Sequence, residues 1–170
     1  MIDPFWDGGR NITHNGNEIE VPLNPKKETN IQPILQLLLQ ISLSGLGIHV
    51  VRETDVGVGI LDFQCLYTTK ENKAISISIE FKLAHNKKIK HGLIKQLPAY
   101  LRANQSNSGV FIVMWFKDEK ARYFKEPKDR KKYEMIKFLE ETSKTIKQKE
   151  GLEIDTILID ASIKPSASKL

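Results

Sequence analysis

The chain has 170 residues, 40% of them hydrophobic and 28% charged, which fits one domain with an ordinary core and disfavours both a two-domain enzyme and a mini-protein. Twenty-six Lys and Arg against 21 Asp and Glu give a net charge of +5, which permits a polyanionic partner. The single cysteine, Cys65, excludes a disulfide scaffold and a cysteine-based zinc site. We expect a cytoplasmic domain, because residues 1–10 lack a signal-peptide core and residues 31–51 are too polar to span a bilayer.

The first 27 residues predict an irregular leader, because Gly, Asn and Pro punctuate them. Glu18–Leu23 is the one short strand expected there. Two interpretations stay open: the leader caps the domain, or it marks where a larger protein was trimmed. We expect the domain itself to span residues 28–163.

A helix is predicted from Asn30 to Ser44, with Thr29 or Asn30 as its cap and Pro33 in its first turn. Its apolar residues recur at helical spacing, while Gln32, Gln36 and Gln40 line another face.

The period then changes to two, which is typical of strands. Ile48–Thr54 and Ile60–Thr68 are predicted to form a hairpin around a Gly-containing turn at residues 56–59. Ala74–Leu83 is the most regular strand, because isoleucines and Phe81 alternate with serines, Glu80 and Lys82.

The second half predicts a helix over Ile89–Ala103, a buried strand over Val110–Phe116, a helix over Asp129–Glu150 and a strand over Glu153–Ala161. Residues 164–170 are expected to form a flexible tail. The order α-β-β-β-α-β-α-β predicts an α/β fold with a mixed central sheet flanked by helices.

Three charged residues are the candidates for chemistry. Glu80 and Lys82 are two apart on one strand, so both side chains leave the same face of the sheet. Asp62 lies on the preceding strand, and an antiparallel pairing brings it beside Glu80. Two carboxylates at one sheet end are oxygen ligands of the kind that hard divalent ions prefer.

The order Gly59-Ile60-Leu61-Asp62, followed after eighteen residues by Glu80-Phe81-Lys82, resembles the PD-(D/E)XK nuclease superfamily, with Leu61 in place of the proline. Gln96-Leu97-Pro98-Ala99-Tyr100 in the next helix is similar to the QxxxY element of its RecB-type branch, and Gln96 and Tyr100 share a helical face. Pro98 is expected to kink that helix.

The resemblance implies a restriction-endonuclease-like fold and a metal-dependent endonuclease. In it Asp62 and Glu80 hold Mg²⁺ or Mn²⁺, with the Phe81 carbonyl as a further ligand. Lys82 positions water and offsets charge, Gln96 orients the site, and Glu28 is an additional acidic ligand. Tyr100 is an additional candidate through the QxxxY element.

The expected partner is nucleic acid, because the segment from Phe81 to Arg102 carries several basic residues and no acidic one. DNA is the favoured nucleic acid, and RNA is the alternative. The residues that we expect to bind phosphates are Lys87, Lys88, Lys90, Lys95 and Arg102. A homodimer or a larger multidomain effector would suit a restriction, repair or phage-defence role. The alternatives are a catalytically silent nuclease-fold module that binds nucleic acid or a protein, an RNA-directed nuclease, and an unrelated α/β interaction domain with an incidental ion pair.

Overall fold

A computed structural model of the chain describes residues 3–9, 11–14, 17–20, 22–118, 120 and 122–164. Four short strands come first: β1 (Trp6–Asp7), β2 (Asn11–His14), β3 (Asn17–Glu20) and β4 (Asn24–Pro25). The main elements follow as α1 (Glu28–Ser44), β5 (His49–Asp55), β6 (Ile60–Thr68), β7 (Ala74–Leu83), α2 (Ile89–His91), α3 (Leu97–Ala103), β8 (Ser108–Trp115), α4 (Lys132–Glu150) and β9 (Glu153–Asp160).

One mixed sheet of five strands, in the order β5-β6-β7-β8-β9, organises the molecule. The first three strands pair antiparallel through short turns, whereas β7, β8 and β9 run parallel and are joined through helices. Parallel neighbours need such crossovers, because a tight turn cannot return the chain to the same end of the sheet. The predicted α/β class and element order are therefore confirmed.

Helices cover both faces of the sheet. α1 packs on one face over a buried cluster that includes Ile31, Phe63 and Phe81. On the other face α3 and α4 pack over a cluster that includes Leu97 and Phe111. Side chains along β7 alternate between these two layers, so Phe81 points toward α1 while its neighbours Glu80 and Lys82 point the other way.

α1 begins at Glu28, two residues before the predicted start, so Pro33 lies in its second turn rather than its first. The expected cap at Thr29 or Asn30 is wrong: Lys27 is the N-cap residue and makes no side-chain capping hydrogen bond. Glu28, the first residue of the helix, makes a contact that is distant in sequence: its carboxylate accepts the backbone N–H of Leu83.

The helix predicted over residues 89–103 is present but is not uniform. A π-helical turn, Gly92–Gln96, separates α2 from α3, and the N–H of Leu97 bonds to the carbonyl of Gly92. Pro98 falls in the first turn of α3, which continues directly from the π-helical turn. The chain therefore changes from π-helical to α-helical hydrogen bonding just before Pro98.

The leader is more ordered than expected. β1 pairs antiparallel with β4, and β2 pairs with β3, in place of the single strand expected over Glu18–Leu23. Trp6 is buried against Phe116, with ring centroids 5.1 Å apart, and its Nε1 donates to the carbonyl of Ala161. β1 and β4 lack a local signal because their paired residues lie 17 and 19 positions apart, whereas β2 and β3 pair within nine positions and were missed as a hairpin.

The predicted tail at residues 164–170 lies outside the described residues except for Lys164. No helix in the described part of the chain combines the length and apolar character that crossing a membrane requires.

Candidate active site

The central antiparallel strands separate before they end. The last paired residues of β6 and β7 are Phe63 and Ile79, although β6 begins at Ile60 and β7 continues to Leu83. Beyond that pair the N–H groups of β7 that face β6 need other acceptors, since a buried backbone donor without a partner is costly. The opening between the strands is the candidate site.

Two carboxylates accept these N–H groups. The N–H of Phe81 donates to Asp62 Oδ2 at 2.9 Å, and the N–H of Leu83 donates to Glu28 Oε1 at 3.1 Å. Asp62 comes from β6 and Glu28 from the first turn of α1, so a strand and a helix both contribute. The backbone of β7 thereby fixes the positions of both acids.

The ammonium of Lys82 lies among three carboxylates. Its Nζ is 2.7 Å from Glu80 Oε1, 3.7 Å from Asp62 Oδ2 and 3.8 Å from Glu28 Oε2. The same Nζ donates to the carbonyl of Phe81 at 3.1 Å. The predicted residues Asp62, Glu80, Lys82 and Glu28 thus converge, together with the predicted carbonyl ligand.

Burial shifts the pKa values of the charged groups in this cluster. Glu80 is 1% exposed, and its burial, reinforced by the nearby Asp62 charge, raises the pKa of Glu80 to about 7. Burial also raises the pKa of Asp62, although Lys82 and the Phe81 N–H favour its charged form. Burial opposes the charged form of Lys82 as well, but the Glu80 and Asp62 carboxylates outweigh it and raise the Lys82 pKa.

The donor set suits a hard divalent cation. Three carboxylates and a backbone carbonyl surround a single ammonium, and Glu80 Oε2 is buried without a hydrogen-bond partner among the described residues. Within those residues, no three His, Cys, Asp or Glu side chains are already arranged around a metal position. The ammonium of Lys82 lies between the acids, so a bound ion would have to take over its contacts with them.

Two residues that the sequence analysis did not single out for the site support its acids. Gln32 is buried, and its Nε2 donates to Asp62 Oδ1 at 2.7 Å. Asn86 donates from its side-chain amide to Glu28 Oε1. The four-residue spacing from Glu28 to Gln32 places both on one face of α1 and was the available signal for Gln32. Asn86 lies in a loop without a comparable signal.

Gln96 and Tyr100 share a helical face as predicted, with Gln96 Nε2 3.4 Å from the Tyr100 hydroxyl. Tyr100 is buried beneath the β5–β6 turn, and a Cβ added at Gly59 would lie 3.0 Å from its hydroxyl. Among the described residues, Tyr100 is the one hydrogen-bond partner of the Gln96 side chain. The structure therefore joins the pair to the turn and gives neither a hydrogen bond to the acids.

Gly92 in the π-helical turn makes room for Lys82. A Cβ at this position would lie 3.4 Å from Lys82 Cε and 3.1 Å from the ring of Phe111. The helix backbone can therefore approach the strand closely enough to enclose the lysine stem.

The predicted phosphate-binding residues divide into two groups. Lys87, Lys88, Lys90 and Lys95 are exposed on the loop and helix that follow the site. Arg102 is also exposed, but its guanidinium pairs with Glu150. Its charge is thus partly neutralised within the protein.

Comparison with known proteins identifies the family and nothing beyond it. No curated protein and no solved structure matches the chain. A family described as a domain of unknown function, DUF8371, matches residues 17–118. That segment is more than half of the chain and contains Glu28, Asp62, Glu80 and Lys82. The chain therefore belongs to the DUF8371 family.

Proposed function

We propose that this protein is a metal-dependent nuclease that hydrolyses phosphodiester bonds. The observation that carries the proposal is the convergence of Asp62, Glu80 and Lys82 at the opening between β6 and β7. A structural ion pair needs one acid and one base, whereas here three acids surround one lysine at the end of a buried strand. Such an excess of buried carboxylate is favourable when a cation shares the site.

Asp62 and Glu80 would hold Mg²⁺ or Mn²⁺, with the Phe81 carbonyl and Glu28 as further oxygen ligands. A divalent ion there would lower the pKa of a bound water and stabilise negative charge on the scissile phosphate. Lys82 has a raised pKa and stays protonated, so its contribution is to orient the water and offset charge rather than to accept a proton. Gln32 keeps Asp62 in place through its amide.

The order of elements supports a restriction-endonuclease-like assignment within the α/β class. α1 precedes the hairpin, the two strands that carry the acids follow, and a helix comes directly after β7. The four exposed lysines between residues 87 and 95 favour a polyanionic substrate held through its phosphates. We propose DNA rather than RNA, cut internally in a cytoplasmic restriction, repair or defence role, by a homodimer or by a larger effector.

A second candidate is a silent module of the same fold that binds nucleic acid or a protein without cutting it. This candidate is favoured because the acids already have partners within the protein. Both oxygens of Asp62 accept hydrogen bonds, and Lys82 contacts all three carboxylates. In this case the cluster would serve only to close the strand end.

The deciding experiment incubates the purified chain with plasmid, linear duplex, single-stranded DNA and RNA in Mg²⁺, Mn²⁺ or EDTA. Asp62→Asn removes a charge but keeps an acceptor for the Phe81 N–H, so loss of cutting by a folded variant reports on chemistry. We expect metal-dependent cleavage of DNA by the parent chain and at least a 100-fold loss in Asp62→Asn.

The matched control is Lys73→Ala, set against Lys82→Ala. Lys73 is exposed in the turn before β7, at the opposite end of that strand from the site. The control should cut at the parent rate. Absence of cleavage on every substrate, with salt-sensitive binding retained, would establish the silent module instead.

A further inference from the structure

A cavity of about 390 Å³ that is widely open to solvent lies beside the carboxylate cluster, between the N-terminus of α1 and the loop after β7. The polar side chains that line it belong to Lys26, Lys27, Glu28, Thr29, His85 and Asn86. Pro25 and Leu83 supply apolar wall. This cavity, called here the α1 cavity, shares Glu28, Leu83 and Asn86 with the site, and its other lining residues lie outside the site.

Positive charge dominates the α1 cavity. Lys26 and Lys27 carry two positive charges, of which the Lys26 ammonium donates to the carbonyl of Pro4, while Glu28 is the one acid among the lining residues. One Glu28 oxygen accepts from Leu83 and Asn86, and the other faces Lys82, so this acid is engaged on the side of the site. An anion entering the cavity therefore meets Lys27 rather than an unengaged carboxylate.

The backbone at the start of α1 can donate further hydrogen bonds. α1 begins at this wall without a side-chain cap, and the N–H of Asn30 bonds to the carbonyl of Lys27, which leaves the N–H groups of Glu28 and Thr29 for an acceptor. The His85 ring in the same wall packs 4.9 Å from that of Phe124, and its Nδ1 is buried, so that atom does not contact a ligand in the cavity.

We infer that the α1 cavity binds a nucleotide of the substrate strand adjacent to the bond that is cut, with its phosphate against Lys27 and its sugar or base against Pro25 and Leu83. This inference rests on the proposed function, because it assigns the cavity to the same substrate. Glu28 connects the two places: it lines the cavity and lies 3.8 Å from the ammonium of Lys82. A strand that reaches the acids from this side passes through the cavity first.

The first test measures binding without cleavage. Anisotropy of a labelled single-stranded oligonucleotide is followed in EDTA over a range of salt for the parent chain, Lys27→Gln and the control Lys73→Gln. Loss of one phosphate contact should weaken binding about fivefold and reduce the slope of log affinity against log salt by about 0.7. The control should keep the parent slope.

The second test identifies the ligand. Thymidine 5′-monophosphate and inorganic phosphate are titrated separately while the amide resonances of Thr29, His85 and Asn86 are followed by NMR. We expect the nucleotide to shift these resonances with at least fivefold higher affinity than phosphate. Equal affinities would overturn a nucleotide site in favour of a simple anion site.

The outcomes separate this inference from the proposed function. If the parent chain cuts DNA but Lys27→Gln binds like Lys73→Gln, the inference about the cavity is wrong and the nuclease stands. The opposite result is that Lys27→Gln binds the oligonucleotide more weakly and the nucleotide shifts the cavity resonances, while no substrate is cut. In that case the cavity binds a nucleic-acid strand and the proposed nuclease activity is wrong.

Discussion

At the scale of single residues, Lys82 supplies the positive charge that offsets the acids of the site. Its ammonium is the positive charge shared by Glu28, Asp62 and Glu80, two of which have raised pKa values despite that contact. Removing one member of a buried ion pair usually costs more than the pair contributed, because the remaining charge stays desolvated. A divalent cation could compensate where a lysine is missing.

We therefore predict that Lys82→Met is destabilised by about 3 kcal/mol in EDTA at pH 8. Added Mg²⁺ should recover part of this loss, because an ion bound to the folded state stabilises it by mass action. Urea unfolding with and without the metal measures both effects. A variant whose stability ignores Mg²⁺ would argue against a metal at these acids.

The pKa of Glu80 predicts a pH dependence of stability. Its value rises from 4.5 to about 7 on folding, so between these pH values the folded state binds the proton more tightly than the unfolded state. The stabilisation from this group is complete below pH 4.5 and is lost as pH rises through about 7. The free energy of unfolding of Glu80→Gln, relative to that of the parent, should therefore increase by about 1–3 kcal/mol from pH 5 to pH 8. Urea unfolding in EDTA at the two pH values measures the difference, and an equal difference at both would contradict the assignment.

At the scale of elements, α1 directs a row of glutamines at the sheet. Gln32 binds Asp62, Gln36 Nε2 lies 3.5 Å from the Val50 carbonyl, and Gln40 Oε1 accepts the Val50 N–H at 2.9 Å. Their four-residue spacing places one contact on each successive turn of the helix. The polar face of α1 therefore fastens the helix to β5 and β6.

Gln32→Ala should cost about 1–2 kcal/mol, because it removes a hydrogen bond to a carboxylate that is largely buried. The matched control Gln36→Ala removes a longer contact on the same helix and should cost less than half as much. If Gln32 matters for chemistry through Asp62, its variant also loses cleavage rate and recovers part of it in Gln32→Asn. Chemical denaturation and the cleavage assay together measure these effects.

Sequence patterns were sufficient for elements with local signals and failed for those held by distant contacts. The strands Ile60–Thr68 and Ala74–Leu83 have their predicted bounds, because alternation and turn residues define both ends. The period of two along β7 likewise placed Glu80 and Lys82 on one face. The roles of Glu28 as an acceptor for Leu83 and of Gln32 as a donor to Asp62 depend on how α1 packs, which no local pattern encodes.

At the scale of the whole molecule, charge is unevenly distributed. Residues 29–51 contain no Asp, Glu, Lys or Arg, whereas four exposed lysines lie between residues 87 and 95. A local excess of positive charge therefore lies on the segment that follows β7, whereas α1 carries no charged residue after Glu28. A nucleic acid would be attracted toward that side of the molecule.

We predict that Lys87→Gln and Arg102→Gln differ in nucleic-acid binding although each removes one positive charge. Lys87 is exposed near the site, while Arg102 pairs with Glu150. Lys87→Gln should reduce the salt slope of single-strand binding by about 0.7, and Arg102→Gln should leave it nearly unchanged. Anisotropy titrations at several salt concentrations make the comparison, and equal slopes for the two variants would refute the division.

The opening between β6 and β7 gives the protein two built-in reporters. The amide protons of Phe81 and Leu83 are held by the carboxylates of Asp62 and Glu28 instead of by backbone carbonyls. Their exchange with solvent deuterium should depend on the charge and position of those acids, unlike exchange in a regular ladder. A cation that draws the acids toward itself would be visible as faster exchange at these two amides, without any substrate present.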